Sequence, residues 1–121
     1  MILIVDDEPQ VRATIGAALR ELGYRVVEAS DGPEALRVVA DDRPELVILD
    51  YVMPGMDGAE TARQIAAIAP ELPVVFSTGH GALRALRDAA GDEASVLQKP
   101  FTLAELDGLL SKVLGSTPRL A

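Results

Sequence analysis

The sequence predicts an α/β protein: three layers, α/β/α, with one five-stranded parallel sheet covered on both faces by five helices. Two observations lead there. Short apolar runs alternate with segments whose apolar residues recur at helical spacing, and the alternation begins with a strand. The runs Met1 to Val5 and Leu46 to Leu49 are apolar at every position, as in strands buried on both faces. At 121 residues the chain is long enough for one domain with one sizeable core. Only 3% of its residues are aromatic, so that core must be aliphatic.

The elements follow in order. Met1 to Val5 is a strand ending in Asp6-Asp7-Glu8. Pro9 suits the first turn of a helix, and Val11, Ile15, Ala18, Leu19 and Leu22 give that helix one apolar face, with Gly23 as its stop. Arg25 to Ala29 is a short strand. Ser30 or Asp31 caps a helix from Pro33 to about Ala40, with Ala35, Leu36 and Val39 inward, and Asp41 to Pro44 breaks it. The strand Leu46 to Leu49 delivers Asp50 into an irregular run, Tyr51 to Gly58. Asp57 and Glu60 have capping-box spacing and are structural, and Ala62, Ile65, Ala66 and Ala69 form the next helix face up to Pro70. Pro73 to Ser77 is a strand, Leu83 to Ala90 an Ala-rich helix, and Ser95 to Gln98 the last strand. Thr102 and Glu105 form a capping box for a final helix with Leu103, Leu106, Leu110 and Val113 on one side. Residues 1–114 make the domain, and 115–121 a C-terminal tail or linker stub.

Composition excludes several chemistries. With no cysteine and one histidine, His80, there is no disulfide, no thiolate catalysis and no thiolate or histidine-built zinc site. A formal net charge of −8 with 11 Lys and Arg argues against direct nucleic-acid binding. The N-terminal apolar run is too short for a signal peptide or membrane span, so a cytoplasmic location is expected.

In a parallel sheet all C-terminal strand ends lie along one edge, where open α/β sheets bind ligands. Four strands carry polar chemistry there: Asp6 and Asp7, Asp50, Thr78 and Lys99. The second strand carries none. Converging carboxylates raise the pKa of one member unless a cation is bound. Oxygen-only ligands suit Mg²⁺. A divalent cation, a lysine and a hydroxyl donor around one carboxylate are what phosphoryl transfer requires, with Asp50 as the nucleophile.

Four pieces, in order and at strand ends, carry a resemblance: Val5-Asp6-Asp7-Glu8, Asp50 with Met53-Pro54-Gly55-Met56-Asp57-Gly58, Ser77-Thr78-Gly79, and Lys99-Pro100-Phe101. The chain resembles a response-regulator receiver domain of two-component signalling from Ile2 to about Leu114. The resemblance implies a flavodoxin-like sheet of order 2-1-3-4-5. It implies that Asp7 binds Mg²⁺ directly, that Asp6 helps largely through water, and that Asp50 and the backbone carbonyl of Val52 are the other protein ligands. Asp50 is then the phosphoacceptor for a phosphohistidine of a histidine kinase or histidine phosphotransfer protein. Thr78 and Lys99 each meet a phosphoryl oxygen, and the Lys99–Pro100 bond is cis. Such a domain is not a general enzyme, and it is expected to be a monomer or weak dimer.

Haloacid-dehalogenase-like phosphatases also use an aspartate nucleophile, but they space two aspartates i, i+2 after the first strand, unlike the adjacent pair here. A Ser77–His80 catalytic couple is rejected because the two are neighbours rather than opposed. His80 either tunes water access to a phosphate or is a solvated loop histidine. Many receivers carry an aromatic three residues before the lysine, and Val96 stands there instead. The chain is similar in this to a subgroup lacking that switch, and Leu97 to Phe101 resembles receivers of hybrid histidine kinases. The segment Gly79 to Ala90 with the last helix is the expected output face, with Leu109 and Leu114 off the main apolar stripe.

Overall fold

Strand and helix alternate from end to end in a computed structural model that describes residues 1–114. The tail or linker expected over 115–121 lies outside the described residues. The strands are β1 (Ile2–Val5), β2 (Val26–Ala29), β3 (Leu46–Asp50), β4 (Val74–Thr78) and β5 (Ser95–Gln98). The helices are α1 (Pro9–Glu21), α2 (Gly32–Asp42), α3 (Gly58–Ile68), α4 (Leu83–Ala90) and α5 (Leu103–Leu114), with a 3₁₀ turn at His80–Ala82. All pairings are parallel, in the order β2-β1-β3-β4-β5.

The side-chain period of two explains why the central strands are apolar throughout. Leu3, Val5, Val47, Leu49 and Phe76 face one layer, where they meet Ala35 and Val39 of α2, Ile65 of α3 and Leu86 of α4. Ile2, Ile4, Leu46, Ile48, Val75 and Leu97 face the other, against Ile15 and Leu19 of α1 and Leu106 and Leu110 of α5. Every residue of β3 is buried, so the strand is a rigid mount for whatever it carries at its end.

Helix ends follow local chemistry. Gly23 (φ +97) closes α1, donating to the Arg20 carbonyl while Tyr24 donates to Leu19, the two bonds of a Schellman cap. Asp31 is the cap of α2, accepting from the Glu34 N–H at 2.8 Å. That helix runs to Asp42, beyond Ala40, and stops only where Pro44 disfavours helical backbone at Arg43, which turns left-handed (φ 51). Asp57 caps α3 through the Glu60 N–H, but the Glu60 carboxylate turns to Arg63 and Gln64 rather than back to the cap. The Thr102–Glu105 box is reciprocal, at 2.9 and 3.1 Å.

Four residues sit differently from the periodicity. Ala66 is exposed, because α3 buries Thr61, Ile65 and Ala69 instead. Leu103 is 39% exposed, lining the open groove between α1 and α5 instead of filling the core. Leu109 and Leu114 are half-buried, packed partly against the α1/α5 core, and Leu109 also lines a groove beside β5.

Candidate functional site

The site is built where β1, β3, β4 and β5 end. Asp6 leaves β1 almost wholly buried (1% exposed), its N–H held by the Ala29 carbonyl of β2. Its Oδ1 accepts the Glu8 N–H at 2.9 Å, folding the acidic turn back on itself. Asp7 and Glu8 are exposed, and carboxylate oxygens of Asp6, Asp7 and Glu8 lie within 4.8 Å of one another. Glu8 also precedes α1 without capping it through its side chain.

Asp50 is buried at the end of β3. Its Oδ1 lies 3.4 Å from the Val52 N–H donor nitrogen and 3.6 Å from Lys99 Nζ. The same ammonium donates to Asp6 Oδ2 at 3.3 Å. Lys99 therefore stands between the two buried carboxylates. Burial drives the Asp50 carboxyl up to about 6, and Asp6 and Asp7 push the same way against the opposing pull of Lys99 and the Val52 N–H. The expected raised carboxylate is thus Asp50 itself.

Thr78 ends β4, buried, with its hydroxyl 3.3 Å from the Gly79 carbonyl. The Lys99 N–H donates to the Thr78 carbonyl at 2.7 Å, which ties the hydroxyl-bearing strand to the lysine-bearing one. The Lys99–Pro100 bond is cis. Val52 is 62% exposed beside Asp50. Ser77 is paired with Asp50 in register and buried, its hydroxyl without a partner among the described residues.

Two participants escape sequence reading. Glu8 completes the acidic group, although only its place in the run Asp6-Asp7-Glu8 hinted at it. Arg12, largely buried, donates from Nη1 to the Asp6 carbonyl at 2.7 Å and from Nε to Glu28 of β2 at 3.1 Å. The second strand therefore does serve the site, through this arginine. Arg12→Met should lower stability by about 2 kcal/mol, because the part-buried Asp6 carbonyl and the exposed Glu28 carboxylate both lose a charged donor. Urea denaturation measures this, and a loss under about 0.5 kcal/mol would mean the bridge is idle.

The donor set is all oxygen, two of its members open to solvent, which fits a hard cation such as Mg²⁺ and no soft metal.

A family model described as the response regulator receiver domain matches residues 2–111. The chain belongs to that family. Two relatives of this receiver are the response regulators MprA of Mycolicibacterium vanbaalenii, 40% identical over 96% of this chain and 51% of the relative, and of Mycobacterium ulcerans, 39% identical over 96% and 50%. The receiver spans about half the length of the curated relatives it matches. The solved receiver domain of NtrX from Brucella abortus superposes with a TM-score of 0.87 at 33% identity, covering 94% of this chain and 98% of that one. A receiver domain protein from Clostridium thermocellum does so with 0.86 at 32% identity, covering 93% and 92%. Receiver domains of response regulators work in two-component signalling, and the flavodoxin-like sheet order is theirs. Among the described residues no helix is long and apolar enough to cross a membrane.

Proposed function

We propose that this receiver accepts a phosphoryl group on Asp50 from the phosphohistidine of a histidine kinase or histidine phosphotransfer protein. One observation carries the reading: a buried carboxylate ends the central strand with a lysine ammonium 3.6 Å away and a second buried carboxylate on that lysine's other side. With its carboxyl raised only to about 6, Asp50 is mostly ionised at neutral pH, the form a nucleophile needs. An Asp50 oxygen forms the new P–O bond while the P–N bond breaks, and the imidazole leaves with the electron pair. Lys99 donates to one phosphoryl oxygen, and the Thr78 hydroxyl turns from the Gly79 carbonyl to another. Asp6, Asp7 and Asp50, with the Val52 carbonyl, would hold Mg²⁺, and the exposed Glu8 shares the acidic group of Asp6 and Asp7. Held there, the cation would neutralise charge on the phosphoryl oxygens. The modified state favours a second arrangement of the face formed by α4, β5 and α5. The domain then works as a signalling acceptor rather than a general enzyme.

The test is incubation with Mg²⁺ and acetyl phosphate, followed by intact mass at a pH that preserves acyl phosphates. Wild type should gain one phosphoryl group, and Asp50→Asn none. No gain in wild type would overturn the reading, and turnover of many phosphate esters would point to a phosphatase.

A further inference from the structure

Tyr51, the residue that follows Asp50, spans the gap between the site and α4. Its main chain is pinned on both sides: the N–H donates to the Ser77 carbonyl at 3.1 Å, and its own carbonyl accepts from Gly58 at 2.9 Å. Its ring meets Phe76 edge-on, centroids 6.4 Å apart at 77°. Its hydroxyl donates to the Ala85 carbonyl, inside α4, at 3.2 Å. A helical carbonyl can accept this bond on its second lone pair while keeping its place in the helix.

The helix it reaches is lightly held. Leu86 is the one side chain that α4 buries fully, and it joins the core cluster containing Phe76 and Met53, against which Tyr51 also packs. Arg87 reaches the carbonyls of Asp92 and Ala94 at 2.7 Å, which secures the loop after the helix rather than its seat on the sheet. Of the four aromatic residues in the sequence, Tyr51 and Phe76 are the two that meet on this side of the sheet. Val96, the strand-edge residue packed on the same cluster, is aliphatic and has no hydroxyl to offer. A hydrogen bond from the residue after the acceptor is therefore a large share of what fixes α4.

We propose that the Tyr51–Ala85 bond is the device by which α4 senses the state of Asp50. This rests on the phosphoacceptor reading above. Val52 N–H lies 3.4 Å from Asp50 Oδ1, so a group added to that carboxylate competes for the main chain on the far side of Tyr51. The unmodified state holds the phenol on α4. The modified state rotates Tyr51 away, the bond opens, and α4 loosens. The coupling is a population shift between bond made and bond open.

The experiment is amide hydrogen exchange over residues 83–90, in wild type and Tyr51→Phe, with Mg²⁺ and with or without beryllofluoride as the phosphoryl mimic. Binding of the mimic is read separately by fluorine NMR. Wild type should exchange about fivefold faster with the mimic, the factor carried by one neutral hydrogen bond of about 1 kcal/mol. Tyr51→Phe, which keeps the ring, should exchange at the faster rate from the start and show no further response. A full response in Tyr51→Phe, or no response in wild type that has bound the mimic, overturns the coupling and leaves the phosphoacceptor reading intact. No binding by wild type overturns that reading and the coupling with it. Should Tyr51→Phe fold poorly, Tyr24→Phe gives a second measurement: with no tryptophan and two tyrosines in the sequence, it leaves Tyr51 as the sole emitter. Its emission should change with the mimic, and unchanged emission in the bound state overturns the coupling.

Discussion

Without a divalent cation, Asp50→Asn is expected to stabilise the domain at pH 7 by up to about 3 kcal/mol, and by almost nothing at pH 4. The wild-type carboxyl is raised from 3.8 to about 6 in the folded state, first by burial and then by Asp6. Between those two values the native protein holds a proton that the unfolded chain has released. Stability from this group is therefore fully present below about 4 and lost as pH rises through about 6. Two units at about 1.4 kcal/mol each give the magnitude. The amide does not titrate, and its oxygen can still accept from the Val52 N–H. Lys99 is not stranded by the change, because its ammonium keeps Asp6 at 3.3 Å. Urea denaturation in EDTA at pH 4 and 7 measures both differences. Pre-binding of Mg²⁺ at pH 7 should narrow the gap, since a ligand held by the folded wild type stabilises it by mass action. Parallel stability curves for the two proteins across this range would show that Asp50 is not strained by its surroundings.

That strain marks the limit of what the sequence made legible. The convergence of Asp6, Asp50, Thr78 and Lys99 could be read from it because parallel strands place all their C-terminal ends on one edge. A run such as Leu46 to Leu49 announces its own strand. Which carboxylate would be buried could not be read. Asp6 and Asp7 are adjacent and chemically alike, yet opposite sides of a turn make one buried and the other exposed. Lys99 was expected to face a phosphoryl group. It also bridges Asp6 and Asp50, and its bond to Asp6, 93 residues away, is one that only the fold supplies. Arg12 and Tyr51 were missed for a related reason. Each acts through a backbone carbonyl, of Asp6 and of Ala85, and a carbonyl leaves no trace in the residue code. The misassigned Leu103 shows the weakness of periodicity at a helix's first turn. Its neighbours there are the walls of an open groove beside α1, so it stays 39% exposed.

Gly58→Ala is expected to cost about 2–4 kcal/mol, against the usual sign of such a change in a helix. Replacing a helical glycine by alanine ordinarily gains about 1 kcal/mol from backbone entropy. Gly58 opens α3, and a Cβ there would lie 2.6 Å from the Asp50 carbonyl oxygen, 2.6 Å from the Tyr51 Cα and 3.1 Å from the Tyr51 carbonyl oxygen. These are main-chain atoms, which have no rotamer to escape into. The methyl group must push α3 off the exit of β3, straining the 2.9 Å bond from the Gly58 N–H to the Tyr51 carbonyl. Overpacking of about 1–3 kcal/mol and a weakened hydrogen bond of about 1 kcal/mol make up the cost. Gly108 in α5 is the control: nothing lies within 4 Å of its Cβ position, so Gly108→Ala should be stabilising by about 0.5–1 kcal/mol. Urea denaturation of both variants checks the opposite signs, and a neutral Gly58→Ala would mean that α3 shifts freely. The same push moves the carbonyl of Asp50, the proposed acceptor. Gly58→Ala should therefore slow phosphorylation by acetyl phosphate even at temperatures where it is folded, while Gly108→Ala should not. The last glycine of Met53 to Gly58 is then explained by steric need rather than by flexibility: it lets a helix begin directly against the strand that carries Asp50.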